Sequence, residues 1–170
     1  MANPIVTVVE AANNMKRLTK TLRFMKENYV LIGIPQKKTK REGEPVTNAE
    51  LLFIHTYGSP INNIPARPVI EPAIKDDKER LSKMLKRSAA LSLKGKEEEA
   101  VEQLKLMGMR GQNISRAWFT SPKNGWPPNS PSVAAAKRKK GSTNPMPLID
   151  TGELRKSIIY IVVKKGERVE

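Results

Sequence analysis

The chain has 170 residues and sets 31 Lys and Arg against 17 Asp and Glu, a formal charge of +14, so it can bury a core unaided and will attract polyanions or acidic protein surfaces. It has no cysteine and one histidine, His55, which excludes a disulfide framework and a thiolate metal centre and leaves zinc almost without ligands. No apolar run approaches the roughly 18 residues of a membrane span, and no secretory signal opens the chain, so no membrane contact is expected and the work should be done in a cytoplasm or in something assembled there.

Apolar Ala11, Met15, Leu18, Leu22 and Met25 recur at spacings of three and four between Val9 and Lys26, with Lys16, Arg17, Lys20, Arg23 and Lys26 on other faces. This predicts an amphipathic helix. Tyr29-Val-Leu-Ile-Gly-Ile-Pro35 follows, rich in β-branched residues and ended by proline, and reads as a largely buried strand. Lys37, Lys38, Lys40 and Arg41 then fill a stretch, 36–46, with almost nothing apolar, which should be an exposed loop.

Thr47-Asn-Ala-Glu50 matches a capping box and starts a short helix holding Leu51, Leu52, Ile54 and His55, stopped by Gly58. Ile64-Pro-Ala-Arg-Pro-Val-Ile-Glu-Pro72 is an extended connector, because each residue before a proline is pushed out of the helical region. A helix from Pro72 to about Leu93 has the stripe Ile74, Leu81, Met84, Leu85 and Ala89; a second starts at Glu97 and has the stripe Val101, Leu104, Met107 or Gly108, Gly111, Ile114 and Trp118. The glycines in that stripe imply close approach by another element.

From Thr120 to Pro147 the chain turns Pro-, Asn-, Ser- and Lys-rich around Trp126, an excursion from the core with one short helix, Ser132 to Lys140. Asp150 then opens a helical turn before a second apolar strand, Ser157 to Val163. The fold class is therefore α+β: one domain over 1–170, with a small, mainly antiparallel sheet of strands near 28–34 and 157–164, several helices and extended arms.

Asp150-Thr151-Gly152 has the lettering of an aspartic-protease loop. Such an enzyme needs two carboxylates sharing a proton, and this sequence has one such motif, followed by the helix-forming Glu153-Leu-Arg-Lys. Asp150 with Glu153 is better read as an Asp-led helix cap. His55 has no motif-placed serine, cysteine or second histidine and reads as a packed helical residue, so no catalytic residue is assigned. Lys37 to Arg41 and Lys137, Arg138, Lys139 and Lys140 are solvated basic faces or sequence-indifferent contacts to phosphates or an acidic partner. Trp126 either tucks against its own domain or anchors in a neighbouring subunit.

Five segments in order, Tyr29–Pro35, Asn48–Pro60, Ile64–Ile74, Trp126–Pro131 and Pro147–Ile158, resemble the tail-completion and head–tail joining proteins of long-tailed bacteriophages. The resemblance implies a structural virion protein of the neck or tail, assembled in the host cytoplasm. Its subunits would form a ring, a homo-hexamer, at the junction of tail tube and head connector, with no enzyme activity, metal or cofactor; the surplus positive charge of such a ring would suit either non-specific contact to packaged DNA or acidic surfaces on the connector or tube. Its signature falls on Asn48, Glu50, His55, Tyr57, Gly58, Pro65, Arg67 and Pro68, and on Asp150, Thr151, Gly152 and Arg155, with Arg67 placed for a buried or intersubunit ion pair. The alternative is a sequence-independent DNA-binding protein.

Overall fold

A computed structural model of the chain describes residues 4–35, 46–142 and 144–166. The basic stretch with Lys37, Lys38, Lys40 and Arg41 lies outside the described residues. The elements run α1 (Pro4–Glu27), β1 (Asn28–Gly33), α2 (Asn48–Tyr57), α3 (Ile70–Asp76), α4 (Lys78–Leu93), α5 (Glu97–Trp118), α6 (Pro131–Lys139), α7 (Glu153–Ser157) and β2 (Ile159–Lys164). β1 and β2 pair as a two-stranded antiparallel sheet, the α+β arrangement expected. β2 starts two residues later than expected because α7 runs through Ser157. β1 is only half covered: Tyr29 and Leu31 face outward and Val30 and Ile32 inward, as a sheet packed on one face requires.

The described residues form two compact units, divided at Leu31/Ile32, Lys78/Glu79, Gly108/Met109 and Tyr160/Ile161. The first contains α1, nearly all of α4 and the first half of α5. Its buried core is Phe24, Ala100 and Leu104, flanked by Met25, Val30, Leu91, Val101, Met107 and Val162. The most buried positions of α4 are Ser88 and Ser92, where the apolar pattern favoured Leu85, which is exposed. Small side chains let the helices close up, and Ser88 Oγ donates to Ala100 O at 2.8 Å across that seam. The single helix expected from Pro72 to Leu93 is broken at Asp77, between α3 and α4. In α1 every residue from Thr7 to Lys20 is exposed, and burial begins at Thr21.

The second unit packs Val69, Phe119 and Ile158, each almost fully buried, with Leu52, Ala73, Trp118 and Leu154. A Cβ on Gly111 would collide with the Ile32 side chain and crowd Ile74, so the glycine is what lets β1 lie against α5. Arg110 forms a two-pronged ion pair with Asp77, its Nη2 donating to Oδ1 at 2.7 Å, and Lys123 pairs with Asp76 at 2.8 Å. Donating to the Asp77 carboxylate raises the Arg110 pKa above its ordinary value. Arg116 donates to Ile158 O at 2.9 Å and Lys156 O at 2.8 Å, and Tyr160 N–H donates to Gln112 Oε1 at 3.1 Å, which ties the C-terminal segment to α5.

Candidate interaction site

The second unit gathers most of the signature residues around α2. At its start the expected capping box is present: Thr47 N–H donates to Glu50 Oε2 at 2.8 Å and Glu50 N–H to Thr47 Oγ1 at 3.2 Å. The bond from the Thr47 backbone, joined by that from its hydroxyl, holds the Glu50 carboxyl below the usual glutamate range. Asn48 is buried and its Nδ2 donates to Ser157 Oγ at 2.7 Å, while Ser157 donates to Glu153 O at 2.8 Å. This relay pins α2 to α7.

At the far end Gly58 turns the chain back with φ at +76°, its N–H donating to Ile54 O at 2.7 Å. Gly58 stops the helix as expected, but its ψ of 177° makes the stop an extended reversal and not a left-handed helical cap. A Cβ there would sit 2.8 Å from Ile64 O and 2.9 Å from Ala66 N, so glycine is required by space as well as by φ. Ser59 and Ile64 then bridge the base of a closed loop around Pro60–Asn62. The connector runs back under the helix, and Arg67 N–H donates to His55 O at 2.5 Å. Pro65 and Pro68 keep it extended on either side of Arg67.

Arg67 is buried, but it has no carboxylate partner among the described residues. Its guanidinium binds backbone carbonyls, with Nη2 at 3.0 Å from both Pro127 O and Pro128 O and Nε at 3.2 Å from Pro127 O. Within the chain two proline carbonyls, which a forked cation can reach together, stand where a buried ion pair was one of the two expectations. Burial lowers the Arg67 pKa. His55 beside it is half-buried, its Nδ1 has no partner among the described residues, and its pKa is lowered first by burial and then by the Arg67 charge. Trp126 docks on its own unit, donating to Pro68 O at 3.1 Å and meeting Phe119 edge-on at 5.8 Å between ring centres.

These bonds overturn the picture of 120–148 as an excursion from the core. Leu148 and Ile149 pack on the core, and Lys137 Nζ donates to Met146 O at 2.8 Å, Ile149 O at 2.5 Å and Asn144 O at 3.4 Å. Lys137 is therefore engaged internally, whereas Arg138, Lys139 and Lys140 are exposed. The Asp150 cap is also corrected: α7 starts at Glu153 with Gly152 as its N-cap at φ +79°, and the nearest polar help is Thr151 Oγ1, accepting from Glu153 N–H at 3.4 Å. Asp150 sits too early to reach those amides. Arg155 is half-buried and makes no ion pair among the described residues.

Between α2, the connector and 128–150 lies an open cleft of about 1270 Å³, lined by His55, Tyr57, Arg67, Val133, Lys137, Asp150 and Leu154 among others. Among the described residues Asp150 is the sole carboxylate on its walls, and no cluster of them could hold a metal. Beside it stands an apolar surface that the sequence reading caught only at Tyr57. Phe53 (66% exposed), Tyr57 (70%) and Ile61 (95%) are uncovered, with the two rings 4.9 Å apart. The i,i+4 aromatic pair on the face away from buried Asn48 and Leu52 was the available signal. No family model, curated protein or solved structure matches the chain. Among the described residues no helix is long and apolar enough to cross a membrane.

Proposed function

We propose that the chain is a structural protein of a phage or prophage virion, a neck or tail-completion subunit. It closes into a homo-hexameric ring that completes the tail tube and joins it to the head connector. The observation that carries this reading is convergence: segments that resemble the tail-completion proteins, far apart in sequence, are bonded to one another in the second unit. Asn48 holds Ser157, the connector holds His55 O, and Arg67 and Pro68 hold Pro127, Pro128 and Trp126. That body leaves Phe53, Tyr57 and Ile61 as an apolar surface for a neighbouring subunit to bury.

Negative-stain imaging and mass measurement of the purified protein test the proposal. Closed six-fold particles that Phe53→Lys reduces to smaller species are expected. A wild-type protein that forms no ring, alone or on purified tail tubes, would refute it.

A second reading, sequence-independent DNA binding, is favoured by one observation. Arg80, Lys83, Lys86 and Arg87 of α4 are exposed and make no ion pair among the described residues. Tight duplex binding that falls steeply as salt rises, in particles with no ring symmetry, would prefer it.

A further inference from the structure

The exposed part of α1 carries an ordered pattern. Val8, Met15 and Leu22 repeat every seven residues, and Ala11, Leu18 and Met25 repeat every seven residues three places on, which makes the alternating three-four spacing of a coiled-coil seam. Val8, Met15, Leu18 and Leu22 are 69%, 63%, 46% and 61% exposed, and only Met25 is covered by the core of its unit. A helix whose residues from Thr7 to Lys20 are all exposed has little packing to stabilise it there.

The charge pattern says what covers the seam. In a chain of net charge +14, Lys16, Arg17, Lys20 and Arg23 fall on the outer positions, with Lys20 paired to Glu97 at 2.9 Å and Arg23 to Glu27 at 2.9 Å. The positions flanking the seam are Ala12, Asn14, Thr19 and Thr21, with Lys26 the one cation. An acidic partner would be met by basic flanks. Neutral flanks suit a surface that meets an equally basic copy of itself.

Side-chain size sets the direction. In an antiparallel pair Ala11 faces Leu22 and Met15 faces Leu18, so each of these layers sets one side chain against a different one. A parallel pair would stack Ala11 on Ala11 and leave a gap. Antiparallel pairing also offsets the two basic halves by roughly 10 Å along the axis, about one Debye length. We infer that α1 is a self-association element that pairs with α1 of a second copy as an antiparallel two-stranded coiled coil over Ala11–Leu22. This inference does not rest on the virion reading, and its surface lies in the first unit, apart from Phe53 and Tyr57.

The cysteine-free chain makes a clean test. Full-length Ala11→Cys and Leu22→Cys chains, mixed and treated with a short bis-maleimide, should give the mixed dimer in large excess over the dimer that either forms alone. In sedimentation runs Met15→Lys should weaken self-association at least tenfold. Asn13→Lys, an equal charge on the outer face, should leave it unchanged, and Phe53→Lys should leave the mixed cross-link intact. A dominant Ala11→Cys homodimer, absence of the mixed product, or equal effects of Met15→Lys and Asn13→Lys would overturn the inference.

Discussion

The two units reach order by different means. In the first, helices pack through small residues, and Ala100 and Ser88 are fully buried while the longest helix leaves most of its length uncovered. In the second, the stretches 58–69, 119–130 and 144–152 have little regular structure, and their carbonyls are taken up by long donors: Arg67 on Pro127 and Pro128, Trp126 on Pro68, Lys137 on Met146 and Ile149. Buried carbonyls must find partners, and where no ladder supplies them a cation on a flexible stem can. Part of the positive charge that suggests an external polyanion therefore serves the backbone.

Core truncation breaks the contrast most directly. Phe119→Ala should cost the second unit about 4 kcal/mol, against about 3 kcal/mol for Leu104→Ala in the first, read from urea unfolding. Hydrogen exchange should show the larger loss of protection over Asn48–Tyr57 for Phe119→Ala and over Glu97–Gly108 for Leu104→Ala. Gly58→Ala comes next: a positive φ and two backbone atoms inside 3.0 Å of the new Cβ predict a loss of about 3 kcal/mol, measured in the same way. Arg67→Lys keeps the charge but loses the fork, so about 2 kcal/mol should go, together with protection around Trp126.

The smallest effect is the sharpest in sign. His55 has a lowered pKa in the folded protein, so below the unfolded value of about 6.5 the unfolded chain takes up a proton that the folded one refuses. Stability from this residue is present above that pH and is lost as pH falls toward the folded value. His55→Gln should flatten the melting temperature over that interval. Glu50 acts in the same direction at lower pH, below the ordinary glutamate range, because its lowered pKa favours the folded state only while it is ionised. The His55 loss sets in at the higher pH of the two, because its unfolded value lies above that of a glutamate.

The sequence made the elements legible wherever local chemistry decides them. Thr47 and Glu50 announced a capping box, Gly111 announced a close approach, and apolar runs announced both strands. What it hid depends on distant partners. Arg67 flanked by prolines looked like half of an ion pair because carbonyls some 60 residues away carry no lettering of their own. Asp150 looked like a cap because Asp-Thr-Gly-Glu has a cap's spacing, yet a positive φ at Gly152 starts the helix later. The proline-rich composition of 120–148 was read as distance from the core, whereas its few apolar and cationic side chains fasten it down.

Lys137 offers a way to watch that fastening. Its ammonium is surrounded by three carbonyls, and its neighbours Arg138, Lys139 and Lys140 stand in solvent. An acylating reagent must reach the amine nitrogen, so Lys139 and Lys140 should be labelled quickly and Lys137, held among carbonyls, spared while the native segment holds. The ratio of labels on adjacent lysines in one peptide then becomes an internal clock for its opening.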